Sequence, residues 1–132
     1  MAQPAFEDLV ETFEFLDDWE DRYRHVIDMG KSLDPMEDAL KVPATKVDGC
    51  ASQVWLHITQ PDGKIAFQGD SDAIIVKGLI GVLQALFVGT TPAQASAIDA
   101  MAEMKRLGLD GHLSAQRSNG LKAMIARLQS TS

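Results

Sequence analysis

The chain has 132 residues, of which 45% are hydrophobic and 23% charged, the balance of a soluble globular protein rather than of a disordered one. Its 12 Lys and Arg residues against 19 Asp and Glu residues give a formal net charge of −7. That charge argues against nucleic-acid binding, because such binding depends on basic residues at phosphates. A single cysteine excludes an intramolecular disulfide, a dithiol redox cycle and a self-contained iron–sulfur cluster.

The amino terminus carries no recognisable targeting signal. Met1-Ala2-Gln3-Pro4 lacks a basic region followed by an apolar run, so we expect no secretory signal and a cytoplasmic location. The most apolar stretch, residues 73–88, is too short to span a bilayer, so no membrane association is expected. No linker or low-complexity segment divides the chain, which predicts a single domain over residues 1–132.

Two amphipathic helices are predicted in the amino-terminal third. Apolar residues recur at helical spacing over residues 5–16, and Asp17 or Asp18 can cap a second helix that ends near Gly30. Residues 33–46 contain two prolines and little periodicity, which indicates irregular chain with one short turn.

A β-hairpin is predicted next. Residues 53–60 alternate between apolar and polar side chains, Pro61-Asp62-Gly63 is typical of a turn, and residues 64–68 alternate again. An isolated hairpin is marginal in water, so we expect a third strand around residues 44–48 or a covering helix.

Residues 69–72 are predicted to open the most apolar helix, residues 73–87, which we expect to be central and buried. Asp72 or Ser71 is a good N-cap for it, and carboxylates favour its positive end. The remaining carboxylate, Asp70 or Asp72, is then available for an ion pair or a partner contact.

The carboxy-terminal half, which begins with this helix, is predicted to be helical. Gly78 and Gly81 lower the stability of the helix at residues 73–87, and close packing of a neighbouring element would explain their presence. Thr91 can cap a short helix, and Ser114 or Ser118 can begin the last one. The fold class is therefore α+β, with a small antiparallel sheet packed against several helices.

Cys50 is the candidate for chemistry. It lies in Asp48-Gly49-Cys50-Ala51-Ser52, where small neighbours leave the sulfur approachable and Gly49 permits unusual backbone angles. These local features leave a reactive thiol and a buried structural cysteine equally open. No Lys or Arg adjoins Cys50 to lower its pKa, but a carrier needs only a thiolate that attacks the outer sulfur of a bound persulfide.

Arg117 and the histidines are the other polar candidates. If Ser114 is the cap, Arg117 lies in the first helical turn, where the helix dipole opposes a cation. It is then either a surface position or a contact to a carboxylate or a partner near the cysteine loop. His25, His57 and His112 show no metal-ligand spacing, so no metal site is expected.

Residues 49–55, Gly-Cys-Ala-Ser-Gln-Val-Trp, resemble the Gly-Cys-x-Ser-x-Val-Trp signature of the SufE/CsdE family of sulfur-acceptor proteins. Residues 69–80 and 112–125 are similar to the same family, as are Trp19-Glu20 and Arg22-Tyr23, in the same order over nearly the whole chain. Residues 99–110 depart from it, because they lack the aromatic character of the family there.

The resemblance implies a fold shared in outline with the IscU-type scaffold. It also implies that Cys50 accepts sulfur from the persulfide of a PLP-dependent cysteine desulfurase of the SufS/CsdA type, stimulates that enzyme, and delivers sulfur to a downstream iron–sulfur scaffold. The PLP belongs to the partner, so this chain is expected to hold no cofactor and to act as a monomer or weak homodimer.

The resemblance also assigns supporting residues and leaves two alternatives. It implies that the residues Gly49, Ser52, Asp70, Asp72 and Arg117 face the partner or support the loop. The first alternative is an enzyme, a hydrolase or a one-cysteine peroxidase, with Cys50 as nucleophile and either His57 or His112 as base. The second is an interaction module in which Cys50 is structural.

Overall fold

Helices precede and follow a β-hairpin in the computed structural model, which describes residues 3–49 and 52–130. Within those ranges the α-helices are α1 Pro4–Glu14, α2 Trp19–Ser32, α3 Ile74–Phe87, α4 Pro92–Ala97, α5 Ala100–Arg106, α6 Leu109–His112 and α7 Ala115–Gln129. The strands are β1 Val54–Thr59 and β2 Ala66–Ser71, and short 3-10 turns lie at Asp38–Leu40 and Pro61–Gly63. The predicted α+β class is confirmed.

The predicted hairpin is confirmed. β1 and β2 pair antiparallel over six residue pairs that begin with Val54 opposite Ser71. Between them, Asp62 and Gly63 have φ angles of 55° and 76°, in the left-handed region that Asp and Gly tolerate in tight turns. Turn and register together fix which face of each strand meets the helices.

The third strand expected around residues 44–48 is wrong. The described part of the sheet has two strands, and only an isolated bridge joins Lys46 to Trp55 of β1. A turn precedes the bridge, where the N–H of Thr45 donates to the carbonyl of Val42 at 3.0 Å. Gly49 follows it with φ at +88°. Too few residues between these two bends are extended to form a strand.

Residues 69–71 extend β2 rather than opening α3. Ala73 is the N-cap residue of α3, and no side chain caps that helix. The prediction that Ser71 or Asp72 caps it is wrong: Oγ of Ser71 accepts the N–H of Ala73 at 3.2 Å, and Oδ1 of Asp72 accepts the N–H of Gln53 at 3.0 Å. Pairing with β1 holds the chain extended as far as Ser71, so the helix begins later.

α3 is the central helix, as expected. Its buried residues cover most of its surface: Ile75, Val76, Gly78, Leu79, Ile80, Val82, Leu83, Leu86 and Phe87. Burial on nearly all sides agrees with the all-round apolar pattern of the sequence. Among the described helices, α3 included, none has the length and apolar character needed to cross a membrane.

α2 crosses α3 at a pair of glycines. A Cβ on Gly30 would lie 2.5 Å from the carbonyl oxygen of Ile74, and one on Gly78 would overlap the carbonyl of Val26. The predicted close packing at Gly78 is thereby confirmed, whereas a Cβ on Gly81 would make an ordinary contact at 3.4 Å. α2 continues two residues past Gly30 because that glycine serves the crossing rather than the helix end.

The carboxy-terminal helices begin where their caps predict. Thr91 forms a capping box at α4, and Oγ of Ser114 accepts a backbone N–H at the start of α7. Between them, the segment that lacks the family's aromatic residues folds as α5 and α6. It buries Met104, Leu107 and Leu109 in the core instead.

Candidate functional site

Cys50, the predicted reactive thiol, lies with Ala51 outside the described residues. The site is therefore defined by the residues on either side of it. Gly49 is exposed and has φ at +88°, in the region that favours glycine. A Cβ on Gly49 would lie 3.7 Å from the Cβ of Ala123, so the chain reaches position 49 alongside α7.

Ser52, on the other side of Cys50, is held by Arg117. Oγ of Ser52 accepts a hydrogen bond of 2.6 Å from Nη1 of Arg117. Arg117 lies in the first turn of α7, because Oγ of Ser114 accepts its N–H at 3.3 Å. The helix dipole opposes a cation there by roughly a few tenths of a kcal/mol. The charge-assisted bond to the hydroxyl of Ser52 offsets that cost. The sequence left open a surface position and a contact to a carboxylate or a partner, and the contact observed is to a hydroxyl next to the cysteine loop.

Asp72 supports the same flank. Its Oδ1 accepts the N–H of Gln53 at 3.0 Å, and its own N–H donates to the carbonyl of Gln53 at 3.3 Å. These two bonds run in opposite directions and join Gln53 to the link between β2 and α3. Within two residues of Ala51, the chain after Cys50 is thus attached to α7 and to this link.

A narrow apolar crevice adjoins the bond between Ser52 and Arg117. Those two residues and Gln116 and Gly120 line it with apolar side chains of β1, α3 and α7, namely Val54, Val76, Leu79, Leu121 and Met124. It holds about 10 Å³, enough for one water molecule at most. Among its described lining residues, Arg117 is the one with an ionisable side chain.

The histidines weighed as bases are engaged elsewhere or lie outside the crevice. Nδ1 of His112 lies 2.8 Å from the carbonyl oxygen of Gly108, and its ring stacks on Trp19 with 4.5 Å between centroids. His57 lies on β1 opposite Gln68. Among the described residues that line the crevice, none is a histidine. Nothing in that lining favours a cysteine nucleophile with an imidazole base.

Asp70 is turned to an internal ion-pair cluster. It is 9% exposed, its Oδ2 lies 2.8 Å from Nζ of Lys41, and its Oδ1 lies 3.5 Å from Nζ of Lys77 and accepts the N–H of Ser71 at 2.8 Å. Burial raises the pKa of Asp70, but the Lys41 hydrogen bond, the Ser71 N–H and the Lys77 charge outweigh it and lower that pKa below its ordinary value of 3.8. The hydrogen bond with Asp70 raises the pKa of Lys41.

The Asp70 cluster ties the irregular chain before Cys50 to β2 and α3. Both carboxylate oxygens have basic partners, so the geometry favours structural support over direct contact with a partner protein. Sequence reasoning did not identify Lys41 or Lys77. Lys77 is the single charged residue in the apolar stretch 73–88, which is a signal for a buried acidic partner; Lys41 carries no such signal.

Arg127 is a further residue that the sequence analysis did not single out. From the last turn of α7, its Nη2 donates to the carbonyl of Lys46 at 2.7 Å and its Nη1 to the carbonyl of Ala44 at 3.2 Å. These carbonyls belong to the chain before Cys50. α7 therefore contacts the main chain on one side of Cys50 and a side chain on the other.

The sequence predicts no metal site. Within residues 3–49 and 52–130 no three His, Cys, Asp or Glu side chains are arranged to hold a metal ion. Asp70 and Asp72, the two carboxylates that the resemblance assigns to this site, are each engaged with protein donors.

The described residues define a small α+β protein whose single cysteine precedes the β-hairpin in the sequence. A solved structure of similar fold is the solution structure of a hypothetical protein from Thermus thermophilus, with a TM-score of 0.78 and 22% identity. The similarity covers 98% of this chain and 93% of that one, and at this identity it concerns the fold alone.

The sequence comparisons give the family. The SufE family model, described as an Fe-S metabolism associated domain, matches residues 7–132, and the chain belongs to the SufE family. An uncharacterized SufE-like protein of Rhizobium meliloti (strain 1021) is 45% identical over 96% of this chain and 93% of its own length. A second, from Rhizobium etli, is 43% identical over 95% of this chain and 87% of its own length. Membership of this family gives the protein a role in iron–sulfur metabolism, as a partner in sulfur-related chemistry.

Proposed function

We propose that the protein is a non-enzymatic sulfur acceptor, which takes a persulfide sulfur onto Cys50 from a PLP-dependent cysteine desulfurase of the SufS/CsdA type. It stimulates that enzyme and delivers the sulfur to an iron–sulfur scaffold in the cytoplasm. The observation that carries the proposal is the position of the chain's one thiol: it lies in the signature Gly-Cys-x-Ser-x-Val-Trp of a SufE domain, between flanks that α7 holds.

The proposed step is thiol–persulfide exchange. The thiolate of Cys50 attacks the outer sulfur of the partner's cysteine persulfide, and a bond forms between Sγ of Cys50 and that sulfur. The sulfur–sulfur bond of the partner breaks, and its electron pair stays on the partner's cysteine, which leaves as a thiolate. The proton of the persulfide remains with the transferred sulfur. No oxidant or reductant is consumed, since one sulfane sulfur moves between two thiols.

The lining of the crevice supports a carrier rather than a hydrolytic enzyme. The crevice next to Ser52 is apolar and has no histidine in its described lining, so a base for nucleophilic catalysis is missing from it. The proposed exchange needs no such base in this chain, because the thiolate has only to displace a good leaving group in the partner. Gly49 and Ser52 serve in this proposal as the ends of the presenting loop, and Asp72 and Arg117 as its supports.

The proposal is tested by incubating the protein with a PLP-dependent cysteine desulfurase and cysteine. The intact mass of the wild-type chain should rise by about 32 Da, one sulfur atom, and a thiol reductant should reverse the change. Desulfurase turnover should rise with the concentration of this protein.

The matched control is Cys50→Ser, which keeps the size of the side chain and removes the sulfur. It should show neither the added mass nor the stimulation. If Cys50→Ser still stimulates the desulfurase fully, the protein is an interaction module. If the wild-type chain stays unmodified, the carrier function is wrong.

A further inference from the structure

We infer that Arg127 is a positioning residue for sulfur transfer, which fixes the chain that leads into Cys50. The inference rests on the proposed function and adds a residue to which the resemblance assigns no role. Its basis is the pair of hydrogen bonds from the Arg127 guanidinium to the carbonyls of Lys46 and Ala44, at 2.7 and 3.2 Å.

Arg127 donates to main-chain carbonyls, so its hydrogen bonds fix the position of the backbone itself. A guanidinium presents several donors in a rigid plane, so two bonds to successive parts of a backbone define both its place and its orientation. The same segment pairs with β1 through the bridge between Lys46 and Trp55. Its two hydrogen bonds run from the N–H of Val47 to the carbonyl of Val54 at 2.9 Å and from the N–H of Leu56 to the carbonyl of Thr45 at 2.8 Å. The segment is therefore held from the sheet and from α7 at once.

Only two residues, Asp48 and Gly49, separate this anchored segment from Cys50, and both are exposed. On the far side, Ser52 is held by Arg117 from the first turn of α7. Arg117 and Arg127 are ten positions apart in the chain, roughly 15 Å along the helix axis. α7 thus carries a guanidinium near each end. Arg117 contacts the chain after Cys50, and Arg127 contacts the chain before it.

Position matters for the proposed exchange because the attacking sulfur has to meet the partner's persulfide in line with the bond that breaks. Loss of reach or alignment of about 1 Å can slow such a step by up to roughly 100-fold. The last turn of α7 is also a favourable position for Arg127, because the helix dipole favours a cation there.

The test compares Arg127→Ala, Arg127→Lys and the wild-type protein in sulfur transfer from a cysteine desulfurase, at a series of partner concentrations. Arg127→Ala should transfer about tenfold more slowly at saturating partner, with its half-saturating concentration unchanged. Arg127→Lys should recover part of the rate, because an ammonium keeps the charge but does not hold both carbonyls in one plane.

The matched control is Arg106→Ala. Arg106 also donates two hydrogen bonds of 2.7 Å, but to Glu7 and Glu103, away from α7 and from the flanks of Cys50. Its removal should leave the saturated transfer rate at the wild-type value, whatever it does to the melting temperature. If Arg127→Ala does not fold, Arg127→Lys makes the same comparison.

Provided that the wild-type protein accepts sulfur, any of three results would overturn this inference and leave the proposed function standing. The first is equal saturated transfer rates for Arg127→Ala and the wild type. The second is an effect of Arg127→Ala on the half-saturating concentration only, and the third is equal slowing of transfer by Arg106→Ala. A wild-type protein that accepts no sulfur overturns the proposed function, and this inference with it. The two failures are therefore distinguished by the wild-type arm.

Discussion

The bond between Arg117 and Ser52 offers a quantitative test of how the chain after Cys50 is held. Arg117→Met removes the guanidinium and keeps an apolar stem of similar length, and Ser52→Ala removes only the hydroxyl. The two single variants and the double variant form a thermodynamic cycle, which isolates the energy of the 2.6 Å contact from the other effects of each substitution.

A hydrogen bond to a charged group contributes about 1.5–3 kcal/mol when it is well buried. Arg117 and Ser52 are both half-buried, so water competes for the contact, and we expect a coupling energy of about 1 kcal/mol. Each single variant should lower the free energy of unfolding by about that amount, and the double variant by little more. With a urea m value of about 1.5 kcal/mol/M, each single variant shifts the midpoint down by roughly 0.7 M.

The assay is equilibrium unfolding in urea, followed by circular dichroism, for the four proteins of the cycle. Effects that simply add, within about 0.3 kcal/mol, would mean that the two groups do not interact in solution. That result would refute the argument that α7 anchors the flank at Ser52. A coupling near the expected value would support it, and sulfur transfer by the same four proteins would then show whether the anchor serves the reaction.

Two further predictions concern the fold around the site. Gly78→Ala should lower the free energy of unfolding by about 1–3 kcal/mol, because its Cβ would overlap a carbonyl of α2. Gly81→Ala, with room for a Cβ, should raise it by up to about 1 kcal/mol through helix propensity. A Gly78→Ala variant whose urea midpoint does not fall below that of the wild type would contradict the close crossing. Asp70→Asn should destabilise the protein at neutral pH, because it removes the carboxylate that pairs with Lys41 and Lys77 and leaves Lys41 with the exposed Asp38 as its acidic partner. The folded-state pKa of Asp70 is lowered, so its contribution is fully present above the ordinary carboxyl pKa of 3.8 and is lost as the pH falls below that value. The difference between wild type and Asp70→Asn in unfolding free energy should therefore shrink in acid, and a difference that does not depend on pH would contradict the ion pair.

Local signals predicted most of the secondary structure. The hairpin followed from side-chain alternation around Pro61-Asp62-Gly63, and the caps at Thr91 and Ser114 followed from their positions before apolar periodicity. These features depend on residues that are close in the chain, so the sequence displays them directly. The buried character of α3 was equally visible, since its apolar residues cover all sides.

The errors occurred where distant residues compete with local preference. Ser71 and Asp72 have good capping side chains, yet pairing with Val54 keeps Ser71 in β2, and the carboxylate of Asp72 accepts the N–H of Gln53 across the hairpin. Gly30 looked like a helix end and is instead the crossing point with α3. Only tertiary contacts decide between these roles, and composition does not show them.

The residues of the candidate site could be predicted from the sequence only in part. The family signature singled out Cys50 and the neighbouring Ser52. The unfavourable position of Arg117 in its helix left a surface position and a contact near that loop equally open. Arg127 gave no such signal, because an arginine in the last turn of a helix needs no explanation. Its hydrogen bonds to main-chain carbonyls 81 and 83 positions away exist only in the folded chain.

The central claim, that sulfur passes from a desulfurase to Cys50, is tested most directly in a single turnover. A cysteine desulfurase is loaded with one persulfide, separated from free cysteine, and mixed with this protein in equal amount. We expect the partner to lose about 32 Da and this chain to gain it, and digestion after alkylation to locate the added sulfur on the peptide that contains Cys50. Sulfur that stays on the partner, or leaves as free sulfide at the same rate with Cys50→Ser, would contradict transfer to Cys50.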